Sequence, residues 1–161
     1  MTANHKPIRV LFVCLGNICR SPLAEYIVRQ RATQRGFSGE FDFASAGTGD
    51  WHVGLGADQR MRQTAAAHGV DMDAHRALQI TASGITSWDW LIAMDKANLH
   101  DILSMGADAE RTLLMRQFED ESGTADVPDP YYGGEQGFED VFSILNDNAD
   151  ALIDHLRRMH E

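Results

Sequence analysis

The order of apolar and polar positions predicts strands that alternate with helices along the whole chain. Three apolar runs, at residues 10–15, 88–94 and 112–115, have the length and composition of buried strands. Phe41 and Phe43 alternate with polar neighbours, which indicates another strand between the first two. The sequence therefore predicts four strands.

Between and after these strands lie segments with the three- and four-residue apolar spacing of amphipathic helices. They cover residues 22–35, 58–69, 95–105 and 138–156, with a shorter helix expected at 81–85. Alternation of this kind favours an α/β fold, an open parallel four-stranded sheet with helices on both faces. Ligands of such folds bind at the carboxyl ends of the strands.

No repeat, low-complexity stretch or linker divides the sequence. Its 161 residues are enough to bury one hydrophobic core, so residues 1–161 are expected to form a single domain. Residues 1–6 are polar and precede the first strand, and we expect them to form a flexible N-terminal tail.

The strongest local signal is the turn that follows the first strand. Gly16 and Asn17 interrupt the apolar run, and Ser21-Pro22 are expected to be the N-cap and first position of a helix. A strand that turns tightly into a helix N-terminus offers unpaired backbone N–H groups to an anion. Gly16 allows close backbone approach, and Asn17 tolerates left-handed geometry.

Cys14 and Arg20 bracket this turn with five residues between them. Cysteine at a helix N-terminus near a cation is favoured as the thiolate, its nucleophilic form. The planar guanidinium of arginine can hold two phosphoryl oxygens while it stays charged. A lone cysteine at a strand end is more often a packed apolar residue, but Gly16, Asn17 and Ser21 fit the chemistry. We therefore hypothesise that the turn binds a phosphoryl group and that Cys14 attacks it.

Composition and charge narrow the remaining classes of function. The net charge of −10 argues against general binding to nucleic acid or to anionic membranes. Two cysteines and seven scattered histidines form no disulfide framework and no recognisable ligand spacing, so neither a metal nor another cofactor is expected. No signal-peptide core or membrane-length apolar run is present, which predicts a cytoplasmic protein.

Several other residues could have either a functional or a purely structural role, and the sequence leaves both possibilities open. Asp129 lies between two prolines and could donate the proton that a leaving oxygen needs, or it could simply shape a turn. Tyr131, Tyr132 and Trp51 could wall an aromatic ring or merely pack. Cys19 is either a packed small residue or, the interpretation we favour, a thiol that pairs with oxidised Cys14.

Two further polar residues are weaker candidates. Asp95 follows the third strand and is by default a helix cap, and His75 is by default a buried histidine with its hydrogen bonds satisfied.

The segment Val13-Cys14-Leu15-Gly16-Asn17-Ile18-Cys19-Arg20-Ser21-Pro22, with the distant Asp129-Pro130-Tyr131-Tyr132-Gly133, resembles the low-molecular-weight protein tyrosine phosphatases. The resemblance extends over nearly the whole chain, because Ser45-Ala46-Gly47, Trp51, the His75 segment and Met94-Asp95 occur in family order. It implies a phosphotyrosine protein phosphatase I-like sheet with flavodoxin-type winding and a two-step mechanism without metal.

The resemblance also implies roles for individual residues. Cys14 would be the nucleophile, Arg20 would bind the phosphate, and Asp129 would act first as acid and then as base. The phosphate and substrate site would comprise Leu15, Gly16, Asn17, Ile18, Cys19, Ser21, Trp51, Tyr131 and Tyr132. Ser45 and His75, together with Asn17, would support the loop through hydrogen bonds.

The implied substrate is a protein that contains phosphotyrosine, with inorganic phosphate as product and competitive ligand. Relatives with other chemistry remain alternatives: phosphatases of another phosphoamino acid, arsenate reductases, and non-catalytic phosphate-binding or redox-sensing modules. Thioredoxin-coupled arsenate reductases need two further cysteines, which this chain lacks. Ile18 stands where protein-arginine phosphatases typically carry threonine. Leu78 departs from the family, whose members often carry arginine there, and this puts the local packing in question.

Overall fold

Four parallel strands form the centre of the molecule, as seen in a computed structural model that describes residues 6–130 and 134–160. They are β1 (Ile8–Cys14), β2 (Phe41–Gly47), β3 (Trp90–Ala93) and β4 (Thr112–Leu114). Their order across the sheet is β2-β1-β3-β4, and all neighbouring pairs are parallel. The predicted fold class is confirmed.

β3 and β4 are shorter than the apolar runs that predicted them, whereas β1 begins two residues before its run and ends one residue before the end of that run. Leu15, expected in the first strand, lies one residue beyond β1 and is exposed. Cys14, the last residue of β1, is in register with Gly47, the last residue of β2. The thiol and the loop after β2 therefore meet at one edge of the sheet.

The helices are α1 (Arg20–Gln34), α2 (Gln59–Ala67), α3 (Lys96–Ser104) and α4 (Glu135–Met159). Three short 3-10 turns occur at Ser38–Glu40, Ile85–Ser87 and Ala109–Arg111. The carboxylates of Asp58 and Asp95 accept backbone N–H groups at the starts of α2 and α3, so the expected cap at Asp95 is confirmed.

The helix predicted at residues 81–85 is wrong. The Ile85 N–H donates to the Thr81 carbonyl at 3.0 Å, which is one α-helical bond, and the Thr81 hydroxyl accepts the Gly84 N–H as an N-cap does. The next backbone bond, from the Ser87 N–H to the Gly84 carbonyl, has 3-10 spacing, so the α-helical pattern does not continue. The chain forms turns there and then the 3-10 turn at Ile85–Ser87.

Both faces of the sheet are covered. Val10, Phe12 and Cys14 of β1 belong to a core that includes residues of α1, α2 and α4, whereas Leu11 and Val13 belong to a core that includes Ile102 of α3. Since α1 and α3 pack on opposite faces, the loops that lead into them diverge after β1 and β3. This divergence opens a crevice at the carboxyl edge of the sheet.

The expectations of a flexible N-terminal tail and of no membrane-spanning segment can be compared only with the described residues. Residues 1–5 of the expected N-terminal tail lie outside the described residues. Within residues 6–130 and 134–160, no helix combines the length and apolarity needed to cross a lipid bilayer.

Candidate active site

The thiol loop, which we define as residues 14–20, connects β1 to α1. The helix begins at Arg20, with Cys19 at the N-cap and no side-chain cap. The expected capping role of Ser21 is therefore wrong. Ser21 is fully buried in the first turn, and its hydroxyl is turned to the sulfur of Cys14 instead.

Cys14 Sγ has two polar neighbours within the loop region. The Asn17 backbone N–H donates to it at 3.3 Å, and Ser21 Oγ lies 2.9 Å from it. Asn17 Nδ2 donates to the same Ser21 oxygen at 2.9 Å, which leaves the hydroxyl hydrogen for the sulfur. Donors of this kind stabilise a thiolate more than a thiol, because hydrogen bonds to a charged acceptor are stronger.

Asn17 is the residue on which the loop conformation depends. Its backbone has φ 57°, a left-handed geometry that asparagine tolerates better than most residues, and the residue is fully buried. Its Oδ1 accepts the Leu78 N–H at 2.9 Å, and its carbonyl accepts a hydrogen bond from His75 Nε2 at 2.7 Å. Burial lowers the pKa of His75, against the smaller raising effect of this hydrogen bond, and so favours the neutral ring.

Ser45 and Gly47 of β2 contact the region of the loop in different ways. The Ser45 hydroxyl donates to Glu25 Oε1 of α1 at 2.7 Å, so this hydrogen bond goes to the helix behind the loop. At Gly47 a Cβ atom would lie only 2.7 Å from the Leu15 carbonyl oxygen. The loop therefore approaches β2 more closely than any residue with a side chain would allow.

Arg20 lies in the crevice between the thiol loop and the loop after β3. Its Nη1 donates to Asp95 Oδ2 at 2.6 Å and to the Val127 carbonyl at 3.0 Å, and its Nη2 lies 3.7 Å from Asp129 Oδ2. Burial opposes the charge, but Cys14, Asp95 and Asp129 together raise the pKa of Arg20 above its ordinary value. A fixed positive charge thus faces the thiol inside a protein of net charge −10.

Asp129 approaches the site from a segment far along the chain. Val127, fully buried, donates its N–H to the Met94 carbonyl at 2.8 Å and accepts from Arg20, and so fastens this segment to the end of β3. Sequence reasoning overlooked Val127; its only signal was one apolar residue between Asp126 and Pro128.

Around these groups lies a cavity of about 460 Å³. It is lined by Cys14, Leu15, Gly16, Asn17, Ile18, Cys19, Arg20, Trp51, His52 and Asp129. The cavity thus unites the two ends of the thiol loop, the distant Asp129 and the exposed Trp51. Tyr131 and Tyr132, the other expected wall residues, lie outside the described residues.

His52 was not among the residues singled out from the sequence. Its ring packs on the thiol loop, so that a Cβ added at Gly16 would lie 3.1 Å from His52 Cδ2. The available signal was its position beside Trp51 in the glycine-bearing loop after β2.

Cys19 lines the same cavity. Burial, followed by the carboxylate of Asp58, raises the pKa of the Cys19 thiol far above its ordinary value. The residue is therefore held as a thiol, and both cysteines are free. Among the described residues no group of three or more His, Cys, Asp or Glu side chains is arranged to hold a metal ion.

Known proteins with similar sequences are phosphatases, which agrees with the geometry of the site. Residues 9–161 match the family model described as "Low molecular weight phosphotyrosine protein phosphatase". The chain is 41% identical over 150 residues to low molecular weight protein-tyrosine phosphatase A of Mycobacterium tuberculosis. That alignment covers 92% of this chain and 91% of the relative.

Solved structures agree with the sequence comparison. The crystal structure of YfkJ from Bacillus subtilis superposes with a TM-score of 0.90 at 33% identity, covering 99% of this chain and 100% of that one. Vibrio vulnificus Wzb, solved in complex with benzylphosphonate, superposes with a TM-score of 0.81 at 25% identity and covers 93% of this chain and 99% of that one.

Proposed function

The chain belongs to the low molecular weight phosphotyrosine protein phosphatase family and is a protein-tyrosine phosphatase, and we propose that it works through a phosphocysteine at Cys14. One observation carries this mechanism. Cys14 Sγ, with the Asn17 amide and the Ser21 hydroxyl as donors, shares one cavity with the charged Arg20 and the carboxylate of Asp129.

In the first half-reaction the Cys14 thiolate attacks phosphorus. The S–P bond forms as the bond between phosphorus and the tyrosine oxygen breaks, and Asp129 gives its proton to that oxygen. Arg20 and the loop amides stabilise the equatorial phosphoryl oxygens, on which the charge is spread in the transition state. Tyrosine leaves as the neutral phenol.

In the second half-reaction water hydrolyses the phosphocysteine. Asp129, now ionised, takes a proton from water as the water oxygen attacks phosphorus, and the S–P bond breaks. The thiolate is a good leaving group here because Ser21 and the Asn17 amide already point hydrogens at the sulfur. The product is inorganic phosphate, which also competes for the empty site.

The substrate is a phosphotyrosine side chain on a protein. The loop alone would fit any phosphomonoester, but Leu15 and Trp51 give the cavity apolar walls suited to a phenyl ring. Tyr131 and Tyr132 are the further residues that we propose to contact this ring. A structural relative was solved with the aryl-bearing anion benzylphosphonate. Ser45 and His75 support the loop from behind, Ser45 through Glu25 and α1.

We also propose that residues 1–161 act as one domain in the cytoplasm. Both apolar cores share strand β1, so neither has a sheet of its own. A thiolate nucleophile requires the reducing conditions under which cysteines stay free.

The test combines two variants with aryl phosphates of different leaving group. Cys14→Ser should abolish hydrolysis but still bind inorganic phosphate, because Arg20 and the loop amides remain. Asp129→Asn should lower kcat for phenyl phosphate by about 10²–10⁴-fold and much less for an activated nitrophenyl ester, which departs without a proton.

Turnover retained by Cys14→Ser would remove Cys14 from the nucleophile role. Equal losses across the leaving-group series would remove Asp129 from the acid role. A panel of phosphotyrosine, phosphoserine and phosphoarginine peptides with arsenate then identifies the substrate class, and we expect turnover of phosphotyrosine.

A further inference from the structure

Exposed apolar side chains are concentrated beside the mouth of the catalytic cavity. Val53, Leu55 and Leu78 are 51%, 56% and 59% exposed, and we name these three residues the apolar patch. Val53 and Leu55 follow Trp51 of the cavity wall in the same loop, and the Leu78 N–H is bonded to Asn17 of that wall. A group of exposed apolar residues marks an interaction site, whereas single exposed residues need no explanation.

The apolar patch is fixed to the thiol loop by backbone hydrogen bonds. Gly54 N–H donates to the Ala77 carbonyl and Ala77 N–H to the Leu55 carbonyl, each at 2.8 Å, which joins the two segments that carry the patch. The Leu78 N–H in turn donates to Asn17 Oδ1. The patch is therefore held in constant relation to Cys14, as a subsite that positions a substrate must be.

We propose that the apolar patch binds an apolar side chain that flanks the phosphotyrosine in the protein substrate. The proposal rests on the function proposed above, because a polypeptide that places its tyrosine in the cavity must pass over the surface around the mouth. An apolar flanking residue covers the patch in the bound complex and removes both surfaces from water. The patch thereby selects among phosphotyrosine sequences.

A second copy of this chain fits the patch less well. Two molecules that each carry a net charge of −10 repel one another. A stable dimer buries about 800 Å² on each partner through roughly 20–30 residues, far more than three side chains offer. A substrate segment needs only a small contact, because the phosphoryl group supplies the rest of the binding.

The experiment moves one leucine along an otherwise Gly-Ser phosphotyrosine peptide and compares each peptide with its glutamine counterpart. At the favoured position we expect the leucine peptide to have a kcat/KM roughly fivefold higher. Leu55→Gln and Leu78→Gln should bring that ratio close to one. Leu103→Gln, at an exposed apolar residue near the far end of α3, is the matched control and should keep the ratio.

Phenyl phosphate turnover shows that each variant is folded. A wild-type protein that hydrolyses every peptide equally overturns this inference alone, whereas one that hydrolyses no phosphotyrosine peptide overturns the proposed function as well. Equal peptide rates together with a dimer that is lost in Leu55→Gln, as seen by sedimentation velocity, would assign the patch to a second copy and likewise overturn the proposal.

Discussion

Single residues in the thiol loop serve two purposes at once. Asn17 adopts φ 57°, presents its amide to Cys14 Sγ, and uses its side chain to join Ser21 to Leu78. Ser21 can direct its hydrogen at the sulfur only because Asn17 donates to its oxygen. Loop shape and thiolate stabilisation therefore depend on the same few atoms.

His75 makes this arrangement sensitive to pH. Burial lowers its pKa in the folded protein, so below about pH 6.5 the unfolded chain binds more protons and stability falls as pH decreases. The stabilisation from His75 is complete above that pH. We expect the difference in unfolding free energy between wild type and His75→Gln to shrink from about pH 8 to about pH 5 in urea titrations.

The matched control for this experiment is His100→Gln, which removes an exposed histidine of α3. Because this side chain is not buried, its replacement should cost less stability at about pH 8 than His75→Gln does. A difference between wild type and His75→Gln that does not change with pH would show that the His75 ring is not held neutral against Asn17.

The predicted pairing of Cys19 with oxidised Cys14 is affected by the burial of the Cys19 thiol. If peroxide converts Cys14 to a sulfenic acid, the Cys19 thiol can displace water and form a disulfide, which spares Cys14 from further oxidation. Its raised pKa favours the protonated thiol and slows this step. Mass spectrometry after mild peroxide should find a Cys14–Cys19 disulfide, lost in Cys19→Ser; sulfinic or sulfonic Cys14 alone would contradict protection.

At the scale of elements, the functional groups of the site lie at or near the ends of strands and helices. β1 delivers Cys14, the first turn of α1 delivers Arg20, and Asp95 both caps α3 and pairs with Arg20. The end of β3 holds the segment of Asp129 through Met94 and Val127. Because Cys14 belongs to a central strand and Arg20 to a packed helix, these functional groups sit on rigid supports.

The contact between β2 and the thiol loop can be tested at Gly47. Gly47→Ala would place a Cβ 2.7 Å from the Leu15 carbonyl oxygen, so the backbone must shift. We expect a loss of about 1–3 kcal/mol in unfolding free energy and a lower kcat/KM for phenyl phosphate. Gly39→Ala, where nothing lies within 4 Å, should leave both unchanged within error; equal behaviour of the two variants would refute the close packing.

At the scale of the whole molecule, a local positive site operates inside an acidic protein. The net charge of −10 repels an approaching phosphoprotein, whereas Arg20 attracts the phosphoryl group once it enters the cavity. Long-range repulsion is screened by salt over distances of about 10 Å at 0.1 M, but contacts within the cavity are screened much less.

This difference predicts how flanking charge affects turnover. At low ionic strength a phosphotyrosine peptide with basic flanks should have a higher kcat/KM than one with acidic flanks, because the protein attracts the first and repels the second. Raising the salt concentration should bring the two values together. A ratio that does not change with salt would show that the net charge has no part in substrate capture.

The sequence by itself determined the fold class and the two ends of the thiol loop. Apolar periodicity is local information, and so is the spacing from Cys14 to Arg20, because a short loop keeps both residues at one helix N-terminus. Errors occurred where local rules competed: Ser21 turned to Cys14 instead of capping α1, and the helix expected at residues 81–85 stops after one α-helical bond and gives way to a 3-10 turn.

Only the tertiary structure decided which distant residues meet the loop. The segment of Val127 and Asp129 reaches Arg20 because β3 lies beside β1 in the sheet, although β3 comes much later in the chain. His52 lies at the cavity for a similar reason, since β2 pairs with β1 on the other side. Strand order is set by packing of the whole chain, and no local pattern encodes it.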